Sequence, residues 1–440
     1  MIIFNGPVIT NDPANPFVAE GAVAVEGDTI VAVGPTAEVR AAHPGQDLVD
    51  VGGRVIMAGL INAHTHAYSA YARGMAVHQP TRNFTEILEN LWWRLDRLLT
   101  LQDVELNAAT TFIECIRNGV TTVFDHHSSP NAVSGSLQTM ADVAGRLGIR
   151  TSLCYETSDR DGPGVLAAAI AENTLFMKQV NTHEQDMVKG LFGLHAAFTL
   201  SEASLDAACA AKEGVAGGFH VHVAEAASDE SDSQAKYGKR VVQRFEDHGM
   251  LGPETIAAHC VHANPDELDL LKDRNTTVVH NPHSNMSNAV GVASVADMLD
   301  RGLRVGLGTD AYTPDILASA QVAKILASDH LADPTIGFGQ ALQMAFVNNP
   351  QICARFFRKD LGVLKAGAYA DLITLDYRRF TPLDAGSAGG HILFGMSGSQ
   401  VNDTMVNGAW VMRDRDILTV DEAAIFARST QRAPRIWAQM

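Results

Sequence analysis

Between residues 55 and 308 the chain repeats one pattern: a short apolar run, then a longer stretch with helical periodicity. The apolar runs fall at 55–61, 121–124, 150–154, 190–194, 218–221, 255–258, 277–279 and 305–308. Helical segments such as 84–117, 136–147, 165–180, 205–212, 265–273 and 292–301 separate them. Short buried strands alternating with helices predict a parallel sheet, and eight such units predict a (β/α)8 TIM barrel. An open doubly wound sheet is the alternative, but it would show a glycine-rich phosphate turn after its first strand. That place holds His64-Thr65-His66.

The ends of the chain have a different texture. Residues 1–54 alternate apolar and polar positions between the turn signals Gly6-Pro7, Gly27-Asp28 and Gly34-Pro35, as antiparallel strands do. The same texture returns only at 371–375 and 403–411. Neither piece has enough strands for a sheet of its own. The two are expected to fold together as a small β-sandwich domain. This divides the chain into 1–55 (first part of that domain), 56–361 (barrel) and 362–440 (second part). The Gly- and Ser-rich 376–400 reads as loops, and a helix from 420 to about 439 closes the chain.

In a barrel, chemistry sits at the carboxyl ends of the strands. Here those ends carry His64 and His66, His195, His222, His259, His280 and Asp310, from the first, fourth, fifth, sixth, seventh and eighth strands. Residues i and i+2 of a strand share a face, so His64 and His66 can grip one ion. Imidazole and carboxylate ligands suit zinc, with iron or manganese as alternatives. Glu225 follows His222 by three residues, where it can overhang the ion as a proton carrier without ligating it. Further candidates for the pocket lie near strand ends: Arg73, His126, His127, Tyr155 and Glu156. The adjacent Trp92 and Trp93 diverge by ~100° on a helix, so only one can face it.

Composition narrows the function. The net charge of −17 is spread along the chain with no opposing basic stripe, which argues against nucleic acid. Five scattered cysteines form no C-x-x-C, as expected in a reducing cytoplasm. No run approaches the ~18 apolar residues of a membrane span. The expected partner is a small molecule, with homo-oligomerisation left open.

These motifs resemble the amidohydrolase superfamily, in its cytosine-deaminase-like and chlorohydrolase branch. The matching pieces are Gly59-Leu-Ile-Asn-Ala-His-Thr-His66, Gly119-Val-Thr-Thr122, His222-Val-Ala-Glu225, Ala258-His-Cys-Val-His262, His280-Asn-Pro-x-Ser-Asn285 and Gly308-Thr-Asp310. The closing Gly362-x-Leu-x-x-Gly367 and Val406-Asn-Gly408 match too. The segments at 83–96 and 122–127 are similar to SsnA-type aminohydrolases within that branch. The resemblance implies one divalent ion on His64, His66, His222 and Asp310, with Glu225, His259 and Asp310 catalytic. Where binuclear members carry a bridging carboxylated lysine, this chain has Gly193-Leu194-His195, which implies a mononuclear site. His195 falls where relatives place a histidine that contacts the heterocycle. Asp96 stands where nucleoside-deaminating relatives carry a longer glutamate, and His283 has no family counterpart.

The resemblance implies an aminohydrolase in which hydroxide formed on the ion attacks an amino-substituted purine, pterin or pyrimidine and ammonia leaves. Two alternatives keep the same site. One is hydrolytic dechlorination of a triazine-like ring; the other is a catalytically retired, metal-binding barrel.

Overall fold

The computed structural model describes residues 1–182 and 186–440. Its centre is a closed ring of parallel strands. The first three are Leu60–Thr65, Val120–His127 and Arg150–Tyr155. The fourth is broken at Leu191 into Val188–Gly190 and Phe192–Ala196. The ring continues through Phe219–Val223, Ile256–His259, Thr277–His280 and Val305–Leu307. Two single bridges join its halves, Thr157 to Leu194 and Thr65 to Asp310. Apolar side chains such as Phe112, Leu137, Phe192, Val221 and Leu307 are fully buried in the large core that the strands share with the helices. A smaller cluster built on Ile61, Ala63, Phe124, Val279, Ile352 and Phe357 belongs to the barrel floor.

The terminal segments build one hydrogen-bonded sheet of nine strands with its own core, including Ile3, Val23, Ile30, Leu372 and Met405. The apolar run 55–61, read as a single strand, is divided by Gly59. Val55–Ala58 belongs to this terminal sheet, antiparallel to Leu372–Leu375, whereas Leu60 begins the barrel. A side chain at Gly59 could not make that crossing. Its Cβ would lie 2.2 Å from Thr121 Oγ1.

Two helical readings need correction. The stretch 84–117 is not one helix. Short turns from Phe84 to Leu98 end at Leu99, which is extended, and a new helix runs Leu101–Arg117. Thr100 starts it: the Asp103 carboxylate accepts from the Thr100 backbone N–H at 2.9 Å and from its hydroxyl at 2.6 Å. The stretch 376–400 is not all loop, because Ala388–Gly395 is helical. The closing helix runs Glu422–Trp437. None of the described helices is long and apolar enough to cross a membrane.

Barrel and terminal sheet are locked together by one buried cation. Arg150 opens the third strand, wholly inaccessible, and reaches Asp371 from Nη2 at 3.3 Å and from Nε at 3.4 Å. It also donates to the Asn407 side chain and the Asp186 carbonyl, and its guanidinium lies 4.1 Å from the centre of the Tyr369 ring. Removing one partner of such a pair strands the other charge in the interior. Arg150→Met is therefore expected to cost ~3–5 kcal/mol in urea-unfolding free energy. Metal content should be unchanged, because Arg150 lies at the opposite end of the barrel from the strand-end histidines.

Candidate functional site

His64 and His66 leave the first barrel strand, His222 the fifth, and Asp310 follows the eighth. The first strand carries a bulge between Asn62 and Thr65, where Ala63 and His64 face the single Phe124 of its neighbour, and bulges re-aim side chains beside active sites. His66 Nε2 lies 3.1 Å from Asp310 Oδ1 and 3.2 Å from His222 Nε2. His64 Nε2 lies 3.9 Å from the same Asp310 oxygen, buried and without a hydrogen-bond partner. His64, His66 and Asp310 each offer a ligand atom within 4.8 Å of the others, as do His64, His222 and His259, and the orphaned His64 nitrogen among them fits a divalent cation.

The far nitrogens are anchored as metal-binding histidines require. His66 Nδ1–H donates to the His126 carbonyl at 2.6 Å, and His64 Nδ1 meets His220 Nε2 at 2.9 Å. Burial and the surrounding imidazoles hold His64 and His222 well below the usual histidine range, whereas the Asp310 and Glu156 carboxylates, against burial, hold His66 above it.

Beside this group stand two more buried titratable side chains, His259 and Glu225. His259 Nδ1–H donates to Asn285 Oδ1 at 2.7 Å, which turns its free Nε2 toward the site. That nitrogen is 3.5 Å from Glu225 Oε2 and 3.5 Å from Asp310 Oδ2. Burial, with Asp310 nearby, raises the Glu225 carboxyl to about 7. The backbone is left-handed at Ala224 (φ 46°), His259 (φ 75°) and Asp310 (φ 55°), strain of a kind that clusters where side chains must be aimed. The site opens into a cavity of about 690 Å³ walled by Tyr68, Trp92, Phe198, Glu156, His195 and Asp229, among others.

Residues 55–411 match the amidohydrolase family, and residues 21–45 match an imidazolonepropionase-like composite domain of bacteria. The chain is 31% identical to a 5-methylthioadenosine/S-adenosylhomocysteine deaminase of Moorella thermoacetica, over 95% of this chain and 96% of that one. The chain belongs to the amidohydrolase family. It is also 29% identical to a 5′-deoxyadenosine deaminase of Methanosarcina mazei, over 100% and 99% of the two chains. Its fold is similar to a zinc-bound adenosine deaminase from Xanthomonas campestris, with a TM-score of 0.88 at 23% identity, covering 99% of this chain and 98% of that one.

In this amidohydrolase the residues expected around the ion and its proton carriers come together. Those expected to touch substrate do so only in part. His195 lines the cavity, with Nδ1 2.8 Å from Thr199 Oγ1. His126 does not: Nδ1 faces Glu156 Oε1 at 3.1 Å and Nε2 faces the His220 carbonyl at 3.0 Å, so both nitrogens are spent on structure. Asp96 is buried away from the cavity wall, paired with Arg160 and 2.8 Å from the Ser128 hydroxyl. Arg73 is exposed and tied to Glu114 by two bonds of 2.5 and 2.7 Å, at the edge of an adjoining cleft. His283 stacks on Tyr312, a cavity residue, with ring centres 4.9 Å apart, and stands behind it. His127 is bonded to Ser129. Of the two tryptophans, Trp92 faces the cavity and Trp93 packs against His195 and Phe198.

Two residues escaped the sequence reading. His220 supports His64 from the same strand as His222, and His220-Val-His222 repeats the His-x-His spacing of the first strand. Asp229, four residues beyond Glu225 and in the first turn of the following helix, is flanked by acidic, surface-like neighbours in the sequence, yet it is buried and walls the cavity.

Removing a residue expected to ligate the ion directly should cost more than the ~10–100-fold in metal affinity lost with a supporting partner. His222→Ala is thus expected to emerge from dialysis nearly metal-free by elemental analysis. His283→Ala, outside the ligand group, should keep wild-type content.

Proposed function

We propose that this protein is an aminohydrolase that holds one zinc ion per chain on His64, His66, His222 and Asp310 and removes ammonia from an amino-substituted N-heterocycle. The observation that carries the reading is the junction of His259 Nε2 with Glu225 and Asp310, 3.5 Å from each, beside the ligand group. One ion per chain is supported by the fourth strand's end, where His195 occupies the place a bridging lysine would need.

A divalent ion held by these four residues would supply a water acidified from ~15.7 to ~7. The chain supplies the rest. Asp310, through the oxygen that faces His259, takes the water's proton as the oxygen bonds to the amino-bearing carbon. Glu225, whose raised pKa keeps a large share protonated near neutrality, delivers its proton to the adjacent ring nitrogen, so negative charge does not accumulate on the ring. His259 holds both carboxyl groups in register from its anchor on Asn285. Asp310 returns its proton to the amine and the carbon–nitrogen bond breaks; as ammonia leaves, the added hydroxyl passes its remaining proton back to Glu225 and a ring carbonyl is left. The cavity's aromatic walls, Tyr68, Trp92 and Phe198, suit a flat ring.

The relatives' names support a purine. The position of Asp96, bonded to Arg160 and Ser128 behind the wall, supports recognition through the ring more than through a ribose.

General acid–base groups contribute ~10²–10⁴-fold to rate. Glu225→Gln is expected to lower kcat by that factor while KM and metal content stay near wild type. The assay is ammonia release from aminopurines, aminopteridines and aminopyrimidines, with chloride release from chlorotriazines run in parallel. Loss of metal from Glu225→Gln would make Glu225 a ligand. Chloride release without ammonia release would replace deamination by dechlorination.

A further inference from the structure

The wall of the cavity holds a buried carboxylate that neither the ligand group nor the proton relay uses. Glu156 follows the third strand and is 4% exposed, although it borders the cavity. Its Oε1 faces His126 Nδ1 at 3.1 Å and His66 Nδ1 at 3.2 Å. His126 Nε2 faces a backbone carbonyl, which can only accept, so that nitrogen donates, and one proton joins Nδ1 to Glu156 Oε1. That proton lies on the Oε1 side of the group, and its second oxygen, Oε2, is left as an acceptor toward the cavity.

The neighbouring histidine is an acceptor as well. The Thr199 hydroxyl donates its single proton to the Ala196 carbonyl at 3.0 Å. It can then only accept from His195 Nδ1, 2.8 Å away, so Nδ1 carries the ring's proton and Nε2 presents a lone pair. That nitrogen lies 4.0 Å from Glu156 Oε2. Two acceptors side by side cannot bond each other. Each needs a donor from whatever fills the cavity, and a buried acceptor left unpaired is costly.

We infer that Glu156 and His195 together read a donor edge, so the ring deaminated here carries a second amino group or a ring N–H beside it, in addition to the amino group that leaves. The inference rests on the deaminase reading and narrows its substrate to diamino-type heterocycles, purines or pteridines. A 4-aminopteridine ring, whose ring nitrogens are all acceptors beyond its single amino group, would face two like partners.

The test uses matched pairs that differ by one amino group: 2,6-diaminopurine against adenine, and 2,4-diaminopteridine against 4-aminopteridine. Both kcat/KM for ammonia release and Kd by calorimetry are measured on the zinc-loaded protein. The diamino member of each pair is expected to be favoured by ~10–100-fold. In Glu156→Gln the amide oxygen takes the place facing His126, and the amide nitrogen turns to the cavity. An acceptor becomes a donor there, and the preference should collapse at unchanged zinc content. Thr199→Val reaches the same readout without touching the carboxylate: it frees the His195 tautomer and should lower the preference by a smaller factor.

Equal binding of both members by the wild type, or a full preference surviving in both variants, overturns the inference. The deaminase reading fails separately. Adenine and 4-aminopteridine releasing ammonia as fast as their diamino counterparts leaves that reading standing and removes this one. A binding preference with no ammonia from any of the four does the reverse.

Discussion

The site depends on how the barrel closes. The first and eighth strands meet at the His64 carbonyl, which accepts from the backbone N–H groups of both Thr309 and Asp310 at 3.0 Å. Asn62 reaches across to the Thr309 hydroxyl at 2.7 Å, and Asn349 bonds the carbonyls of Ile61 and Leu307 from beneath at 2.8 and 2.9 Å. This seam puts the carboxylate of Asp310 beside the imidazoles of His64 and His66, from opposite ends of the barrel sequence. Glycine is required on it: a Cβ at Gly308 would lie 2.4 Å from Asn281 Oδ1 and 2.9 Å from the His64 carbonyl oxygen. The residues that close the fold are thus the residues that bring His64, His66 and Asp310 together.

Packing this many imidazoles into a buried space is tolerable because most have one nitrogen committed. His66, His126, His195 and His259 each bond a backbone carbonyl or a neutral side chain on one side. That leaves the opposite nitrogen with a defined job: ligand, hydrogen bond to Glu156, acceptor toward the cavity, or partner of the two carboxyl groups. The polar network is therefore an orienting frame, and the side chains that touch nothing in the cavity, His126 and His220, determine what the others present to it.

The barrel and the strand-end residues were legible in the sequence because histidine is out of place at the end of an apolar run. The same logic could not reach Asp96, whose partner Arg160 is 64 residues away and meets it only in the folded chain. Nor could it sort the consecutive His126 and His127, which alternation sends to opposite faces: one behind His66, the other to Ser129. The break after Leu98 did carry a signal, the Thr100-x-x-Asp103 capping pattern, inside what otherwise reads as one long amphipathic helix. The helix Ala388–Gly395 was hidden by its three glycines, and His391 is held by the carbonyl of Pro382 and the hydroxyl of Tyr377.

The buried donors could group around a cation in a second way, on His66, His126, Glu156 and His222, which would consume the carboxylate that faces the cavity. Anomalous diffraction at the metal's absorption edge, from crystals of protein purified with its native ion, separates the two. The expected result is a single peak per chain, ~2.0–2.2 Å from a nitrogen of His64, His66 and His222 and from an oxygen of Asp310. A peak on His126 and Glu156, or two peaks in one chain, would contradict it.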